Sequence, residues 1–229
     1  VRLVALSSVP IITIDGPSGS GKGTLSTALG SALGWTVLDS GALYRAIAFD
    51  VWRRKIDFRQ VEELKKFRLI NSLNIELKNN NVYLNGEDIS GDIRTEEVVF
   101  RASKIASNPK LRRGILDFQR SFISCPGLVA DGRDMGTVVF PEAQLKIFLT
   151  ASASVRGKRR FIQLKNKGLS VSLPDLIQQI KERDSRDEQR QIAPLKAAKE
   201  AVIVDSSEHT VEVVLDLALF EVRKRGLVS

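Results

Sequence analysis

The chain has 229 residues, enough for one domain with a sizeable core or for a domain that carries a small insert. The composition is that of an ordinary soluble globular protein, and no apolar run approaches the roughly 20 residues that a membrane-spanning helix needs. Because Cys125 is the single cysteine, an intramolecular disulfide is excluded, and without a secretory leader pattern we expect a cytoplasmic protein.

The formal net charge of +8 indicates a polyanionic partner, which could be nucleic acid, anionic lipid or small phosphates. The arginines stand inside short motifs and not in long basic runs. The chain has only two Trp and two Tyr to stack on bases. This distribution favours small phosphates over a nucleic-acid groove.

Short apolar runs separated by helical patterns follow an N-terminal extension, residues 1–10, which we exclude from function. The five runs predicted as buried strands are residues 11–15, 35–39, 127–131, 145–149 and 201–205. Strands that alternate with helices are typical of an α/β fold, here a five-stranded parallel sheet with helices on both faces. Four of the runs end in Asp, at the sheet edge where ligands bind in such folds.

The segment between Phe67 and Phe100 alternates apolar and polar residues around Asn-rich turns, which predicts a small antiparallel β insert. Residues 155–167, 174–190 and 211–225 read as helices. We therefore predict a core of residues 11–60 and 106–229, which includes a helical lid at about 155–192. Residues 61–105 form the predicted insert.

A glycine-rich loop follows the first strand and matches the phosphate-loop pattern G-x-x-x-x-G-K, with a helical pattern at residues 24–33 behind it. Glycines let the backbone turn sharply and present successive N–H groups to phosphate oxygens, and the helix adds its positive dipole end. Lys22 adds a cation for the β- and γ-phosphates. The predicted nucleotide contacts here are Gly16, Ser18, Gly19, Ser20, Gly21, Lys22, Gly23 and Thr24.

Gly23 stands where Ser or Thr usually follows the loop lysine, and the hydroxyl comes one residue later, at Thr24. The "GKGT" variant is associated with nucleoside monophosphate kinases. Thr24 is the candidate Mg²⁺ or phosphate contact, and the shift indicates that nucleotide phosphates and water hold most of the ion.

Two other classes of phosphate-loop protein fit less well. A GTPase switch needs Asn-Lys-x-Asp to read guanine, and the nearest string, residues 166–169, lacks the Asp. A motor or DNA-dependent ATPase usually carries an acidic pair after a strand, whereas "LVADGRD" has the single Asp131 there. A small kinase remains.

Four stretches together resemble the bacterial cytidylate kinases, which phosphorylate CMP and dCMP. They are "DSGALYRA" at 39–46, "DGRDMGTVVFP" at 131–141, "KERDSRDEQR" at 181–190 and the segment 93–113, in addition to "GPSGSGKGT". The resemblance runs from about Ile11 to Ser207. It implies ATP as the phosphoryl donor, Mg²⁺ as cofactor and a monomer that binds neither nucleic acid nor membranes.

The acceptor phosphate needs arginine forks, and the resemblance assigns Arg45 and Arg133 to it. Cytosine presents an amine donor beside two acceptors, so a reader needs a carboxylate and donors. The resemblance implies Asp134 for the amine, with Ser103 and Arg112 completing the base pocket, although Lys110 and Arg113 compete for the last role. Asp39, Ser40 and Tyr44 complete the acceptor set, and Asp39 or Asp131 could orient metal-bound water.

Helical spacing in "KERDSRDEQR" puts Arg183, Arg186, Asp187 and Arg190 on one face. The resemblance makes this helix a mobile lid, in which Arg183 and Asp187 meet the acceptor sugar and Arg190 meets the phosphates. From the basic residues 156 and 158–160 we select Arg160 as a further lid contact to ATP. Lys22, Arg133, Arg183 and Arg190 are the predicted catalytic residues.

The predicted reaction is phosphoryl transfer from ATP to CMP or dCMP. Two alternatives remain open from sequence. One is another small-molecule kinase of the UMP/CMP, adenylate or shikimate type, which would keep the loop but lose the cytosine contacts. The other is a non-catalytic nucleotide-binding or RNA-binding protein, which would account for the positive charge.

Overall fold

The computed structural model describes residues 9–56, 73–78, 81–166 and 168–228. The chain divides into two compact units, one of residues up to 37 together with those from 123 onward, and one of residues 38–122. The predicted boundary between core and insert, at residues 60–61, lies outside the described residues, as does most of the N-terminal extension.

A five-stranded sheet organises the chain. Its strands are β1 (Ile11–Asp15), β2 (Thr36–Asp39), β6 (Leu128–Gly132), β7 (Leu145–Thr150) and β8 (Val202–Asp205), in the order β2-β6-β1-β7-β8. Pairing of β1 with β6 and β7, and of β7 with β8, is parallel. These strands coincide within one residue with the five predicted from the apolar runs, so the prediction of an α/β fold with a parallel five-stranded sheet is confirmed.

The helices of the first unit are α1 (Lys22–Leu33), α5 (Ala153–Lys165), α6 (Leu173–Glu188) and α7 (Val211–Lys224). Alternate β1 residues, Ile12 and Ile14, are fully buried in a cluster with Leu25 and Leu29 of α1 and with apolar residues of α7. Side chains alternate along a strand, so Thr13 and Asp15 face the other side. A π-helical turn, Met135–Val139, lies there and binds Asp15.

The second unit begins with α2 (Ser40–Arg53) and continues to the antiparallel strands β3 (Ile75–Lys78), β4 (Asn81–Leu84) and β5 (Glu87–Asp88). The antiparallel β segment predicted from the Asn-rich turns is present. Two helices, α3 (Glu96–Ala106) and α4 (Pro109–Arg120), follow it, and the sequence patterns did not identify them. Apolar residues of α2, α3 and α4 share one core with the small sheet.

Among the described residues, every helix is too short or too polar to span a lipid bilayer.

Candidate functional site

The loop between β1 and α1 is shaped by glycines. A side chain at Gly16 would place its Cβ 2.0 Å from the carbonyl oxygen of Leu149, so a larger residue cannot occupy this position. Gly21 caps α1 with φ of 97° and supplies no side-chain hydrogen bond to the helix. The first N–H groups of α1 therefore remain available to an external acceptor, the arrangement that binds phosphate at helix N-termini.

Lys22 is buried at this helix start, and its Nζ donates a hydrogen bond to the carbonyl of Pro17 at 2.8 Å. Burial, followed by the nearby Arg133, lowers the pKa of Lys22 to about 7, although Asp131 and Asp15 partly oppose the shift. Burial removes the water that would stabilise the Lys22 charge, and a phosphate group next to Nζ would stabilise that charge instead. The site is thus electrostatically prepared for an anion.

The hydroxyl of Ser20 is buried and has no hydrogen-bond partner among the described residues. A buried polar group without a partner costs free energy, and a phosphate oxygen would satisfy it. The shape of the loop therefore suits a bound nucleotide phosphate, and the Ser20 hydroxyl is available to hydrogen-bond to it.

Side-chain oxygens that could serve as Mg²⁺ ligands lie near the start of α1. The Thr24 side chain is exposed on the first turn of α1, and a Cβ on Gly23 would lie 3.5 Å from a carboxylate oxygen of Asp131. No group of three or more His, Cys, Asp or Glu side chains able to hold a metal occurs in the described part of the chain. These donors fit an ion that takes most of its ligands from nucleotide phosphates and water.

Asp187 of α6 joins two predicted phosphate ligands. Arg133, just after β6, donates from Nε to Asp187 at 3.0 Å and from Nη1 to the carbonyl of Gly16 at 2.8 Å. Arg190 pairs with the other oxygen of the same carboxylate. The charges of Arg133 and Arg183 both lower the pKa of Lys22, so these two predicted catalytic residues lie near the third. Arg183 is partly buried on α6, and Arg190 contacts this cluster through its pair with Asp187.

Asp15 anchors the segment that carries Asp134. Its two carboxylate oxygens accept hydrogen bonds from the backbone N–H groups of Met135 and Gly136, each at 2.8 Å. Burial raises the pKa of Asp15 to about 6, and the two backbone hydrogen bonds oppose this. Asp134 itself is buried. Sequence analysis did not select Asp15, and its position at a strand end was the available signal.

Helix α5 contacts the loop through two arginines that the sequence prediction passed over. Arg156 donates to the carbonyl of Ser18 at 3.1 Å, and Arg159 donates to the carbonyl of Ser206 at 2.6 Å and to that of Ser20 at 3.4 Å. The predicted lid contact, Arg160, is exposed on the same helix. Helical spacing could not separate these residues, because 156, 159 and 160 lie on neighbouring parts of one face.

In the second unit, Asp39 caps α2 by accepting a hydrogen bond from the N–H of Ala42 at 2.8 Å, and it pairs with Arg45 at 3.2 Å. About one quarter of the Arg45 side chain is exposed. Tyr44 and Ser40 are buried on the same helix, and Ser40 accepts a hydrogen bond from Gln119, a residue that no sequence motif indicated.

The predicted base contacts Ser103 and Arg112 lie on α3 and α4. Arg112 is 9% exposed, donates to the carbonyl of Ala106 at 3.0 Å, and its guanidinium carbon lies 5.8 Å from the ring centre of Tyr44. The competitors Lys110 and Arg113 are exposed. Within this unit the structure therefore brings Arg112 and Tyr44 together and leaves the other two cations in solvent.

A sequence model of the cytidylate kinase family matches residues 12–224. The cytidylate kinase of Pseudomonas putida strain W619 is 50% identical over 228 residues, covering 97% of this chain and 99% of that protein. The cytidylate kinase of Marinomonas sp. strain MWYL1 is 51% identical over 224 residues, covering 96% and 98%. Among solved structures, shikimate kinase from Acinetobacter baumannii aligns over 98% of both chains at 15% identity, with a TM-score of 0.47.

Proposed function

Since the chain belongs to the cytidylate kinase family, we propose that it transfers the terminal phosphoryl group of ATP to CMP and dCMP, forming CDP and dCDP. The observation that carries the proposal at the level of geometry is the convergence of Lys22, Arg133 and Arg190 around the phosphate loop and Asp187. A site built from cations and backbone amides binds two polyanions, as phosphoryl transfer requires.

In this proposal ATP binds to the phosphate loop of the first unit. The ATP phosphates accept hydrogen bonds from the loop amides, from the unpaired Ser20 hydroxyl and from Lys22. Thr24 is the residue that would hold a magnesium ion together with the nucleotide phosphates and water, and such an ion would supply positive charge beside the transferring group. Arg160 stays in the donor set as a predicted contact.

The acceptor contacts are assigned in each unit separately. In the first unit, Arg133 and Arg190 bind phosphate, Arg183 and Asp187 bind the sugar, and Asp134 accepts from the cytosine amine. The second unit contributes Arg45 for the phosphate and Arg112 with Ser103 for the base. Asp39, Ser40 and Tyr44 support these residues, as their contacts on α2 indicate.

Catalysis then needs no covalent intermediate on the protein. Positioned cations stabilise the charge that develops on the transferring phosphoryl group, and aligned substrates replace a bimolecular encounter. Arg133 and Arg190 both contact Asp187, and in the proposed complex phosphate oxygens would take over part of this hydrogen bonding.

A coupled assay of ADP release at fixed ATP, with CMP, dCMP, UMP, AMP and shikimate as acceptors, tests the proposal. We expect turnover with CMP and dCMP and much weaker turnover with the others, because Asp134 pairs with an amine that uracil lacks. Preference for AMP or shikimate would replace the proposal with another small-molecule kinase. RNA binding without acceptor-dependent ADP release would indicate a binding protein. Size-exclusion chromatography tests the monomeric state that we also propose.

A further inference from the structure

The carbonyl oxygens of the phosphate loop are held by donors from outside and inside the loop. Arg133 binds the carbonyl of Gly16, Lys22 that of Pro17, and Arg156 that of Ser18. The hydroxyl of Ser206 donates to the Ser20 carbonyl at 2.8 Å. Four of the loop carbonyls thus have identified donors.

The direction of a carbonyl fixes the direction of the next N–H group. In a trans peptide the C=O and the following N–H point in opposite directions, and the only cis bond among the described residues is at Pro126. When Arg156 holds the Ser18 carbonyl, the N–H of Gly19 points away from Arg156. Donors on the carbonyl side therefore select the orientation in which loop amides are presented to phosphate.

Arg156 is suited to orienting the loop because most of its guanidinium N–H groups already donate hydrogen bonds within the protein. Only 4% of the residue is exposed. Besides the Ser18 carbonyl, it donates from Nε to the carbonyl of Ala151 at 2.8 Å and makes two hydrogen bonds to Asp184, at 3.0 and 2.5 Å. Four of its five N–H donors are engaged, so it is not a phosphate ligand in this arrangement.

Asp184 lies on α6, one helical turn before Asp187. The bidentate pair fixes both the rotation and the height of the Arg156 guanidinium, as the fork geometry of such pairs does. The phosphate loop and the lid helix are therefore joined twice, through Arg156 with Asp184 and through Arg133 with Asp187.

We propose that Arg156 and Asp184 form a positioning pair that holds the Ser18 carbonyl and thereby aims the Gly19 amide at the donor phosphates. This inference rests on the proposed function only in taking the loop to bind ATP. The pair acts on the nucleotide through the loop backbone and makes donor binding depend on the placement of α6.

Calorimetric titration with ADP, without acceptor, tests the pair directly. We expect Arg156→Gln to weaken ADP binding about tenfold and Asp184→Asn about threefold, the scale of a lost charge-assisted hydrogen bond. The double variant should bind ADP no more weakly than Arg156→Gln alone, because Asp184 acts through Arg156. In steady-state assays the KM for CMP should stay within about twofold.

Lys158→Gln is the matched control, since it removes one positive charge from an exposed position of the same helix and should leave ADP binding unchanged. Equal weakening in this control, an unchanged ADP affinity in Arg156→Gln, or an equal rise in the KM for CMP would overturn the inference. If Arg156→Gln does not fold, the nearly isosteric Asp184→Asn decides by the same criteria. Absence of CMP turnover in the parent protein would refute the proposed function, and the ADP titration would still decide the role of the pair.

Discussion

Arg133 donates a hydrogen bond from Nε to the carboxylate of Asp187 at 3.0 Å, and only 1% of Asp187 is exposed. Arg190 binds the second oxygen of the same carboxylate. One buried anion thus orients two cations beside the phosphate loop. The cluster keeps a net positive charge, so it attracts phosphate while its geometry is already set.

Replacing Asp187 by Asn should lower kcat by about 10²-fold, because both arginines lose the charge that orients them and small misplacements are costly in phosphoryl transfer. Thermal stability should also fall, since a buried ion pair loses one partner. Steady-state kinetics and a melting curve measure the two effects. Glu188→Gln, at an exposed neighbouring position on the helix, is the control. Normal turnover in Asp187→Asn would contradict the orienting role.

Lys22→Met should reduce kcat by about 10²–10³-fold, the scale for removing one preorganised donor to a developing charge. Stability should be preserved, because Met has a similar length and burial already disfavours the lysine charge, lowering its pKa to about 7. Turnover and a fluorescence melt of the same preparation separate these effects. Lys196→Met, at an exposed position, should leave both unchanged. A Lys22→Met variant with near-normal kcat would rule out the donor-phosphate assignment.

Asp134→Ala should raise the KM for CMP at least about tenfold and change the KM for ATP much less, since a lost base contact leaves the donor side intact. Asp134→Asn adds a sharper comparison. Its amide can donate to the O4 of uracil, so the ratio of CMP to UMP turnover should shift toward UMP. Initial rates at varied CMP, UMP and ATP give these values. Equal changes in both KM values would remove Asp134 from base recognition.

Asp15 should make stability depend on pH. Burial raises its pKa to about 6 from 3.8, so the folded state holds its proton more tightly than the unfolded chain does. The stabilisation is complete below pH 3.8 and is lost as the pH rises through about 6. Relative to Asp15→Asn, the parent protein should lose up to about 3 kcal/mol between pH 4 and pH 7 and then stay constant.

Denaturant unfolding followed by tryptophan fluorescence at several pH values measures this difference, and Trp35 reports on the core that contains β1. Asn can accept only one of the two N–H groups of Met135 and Gly136, which adds an offset that does not vary with pH. Asp216→Asn, at an exposed position of α7, is the control. A parent-minus-variant difference that stays flat from pH 4 to pH 7 would refute the raised pKa.

Local sequence patterns were sufficient to predict those strands and helices whose formation has one dominant physical cause. The strands were predictable because buried parallel strands are continuous apolar runs, and α6 and α7 followed from helical periodicity. Helices α3 and α4 were missed. Most of α3 falls within the predicted β insert, residues 61–105, and α4 was assigned to no element, although Asn108 accepts from two N–H groups at the start of α4 and Pro109 follows it.

The sequence was less able to predict which of several similar residues contacts the site. Arg156, Arg159 and Arg160 have the same charge on one helix, and only packing decides that the first two meet the loop while the third is exposed. Arg112 is buried whereas Lys110 and Arg113 are exposed, and the choice of Arg112 for cytosine stays a prediction. Asp15 was passed over because its partners are backbone groups 120 residues away.

The sequence by itself determined the phosphate loop, the positions of the five core strands along the chain and the family, because glycine spacing, apolar runs and contiguous motifs are local properties. The tertiary structure decided which carbonyls and carboxylates the arginines contact. Those contacts join residues such as Ser18 and Arg156, separated by 138 positions, and depend on how helices pack against the loop. Charge and periodicity predict that an arginine lies near a site, but only packing determines which atom its guanidinium binds.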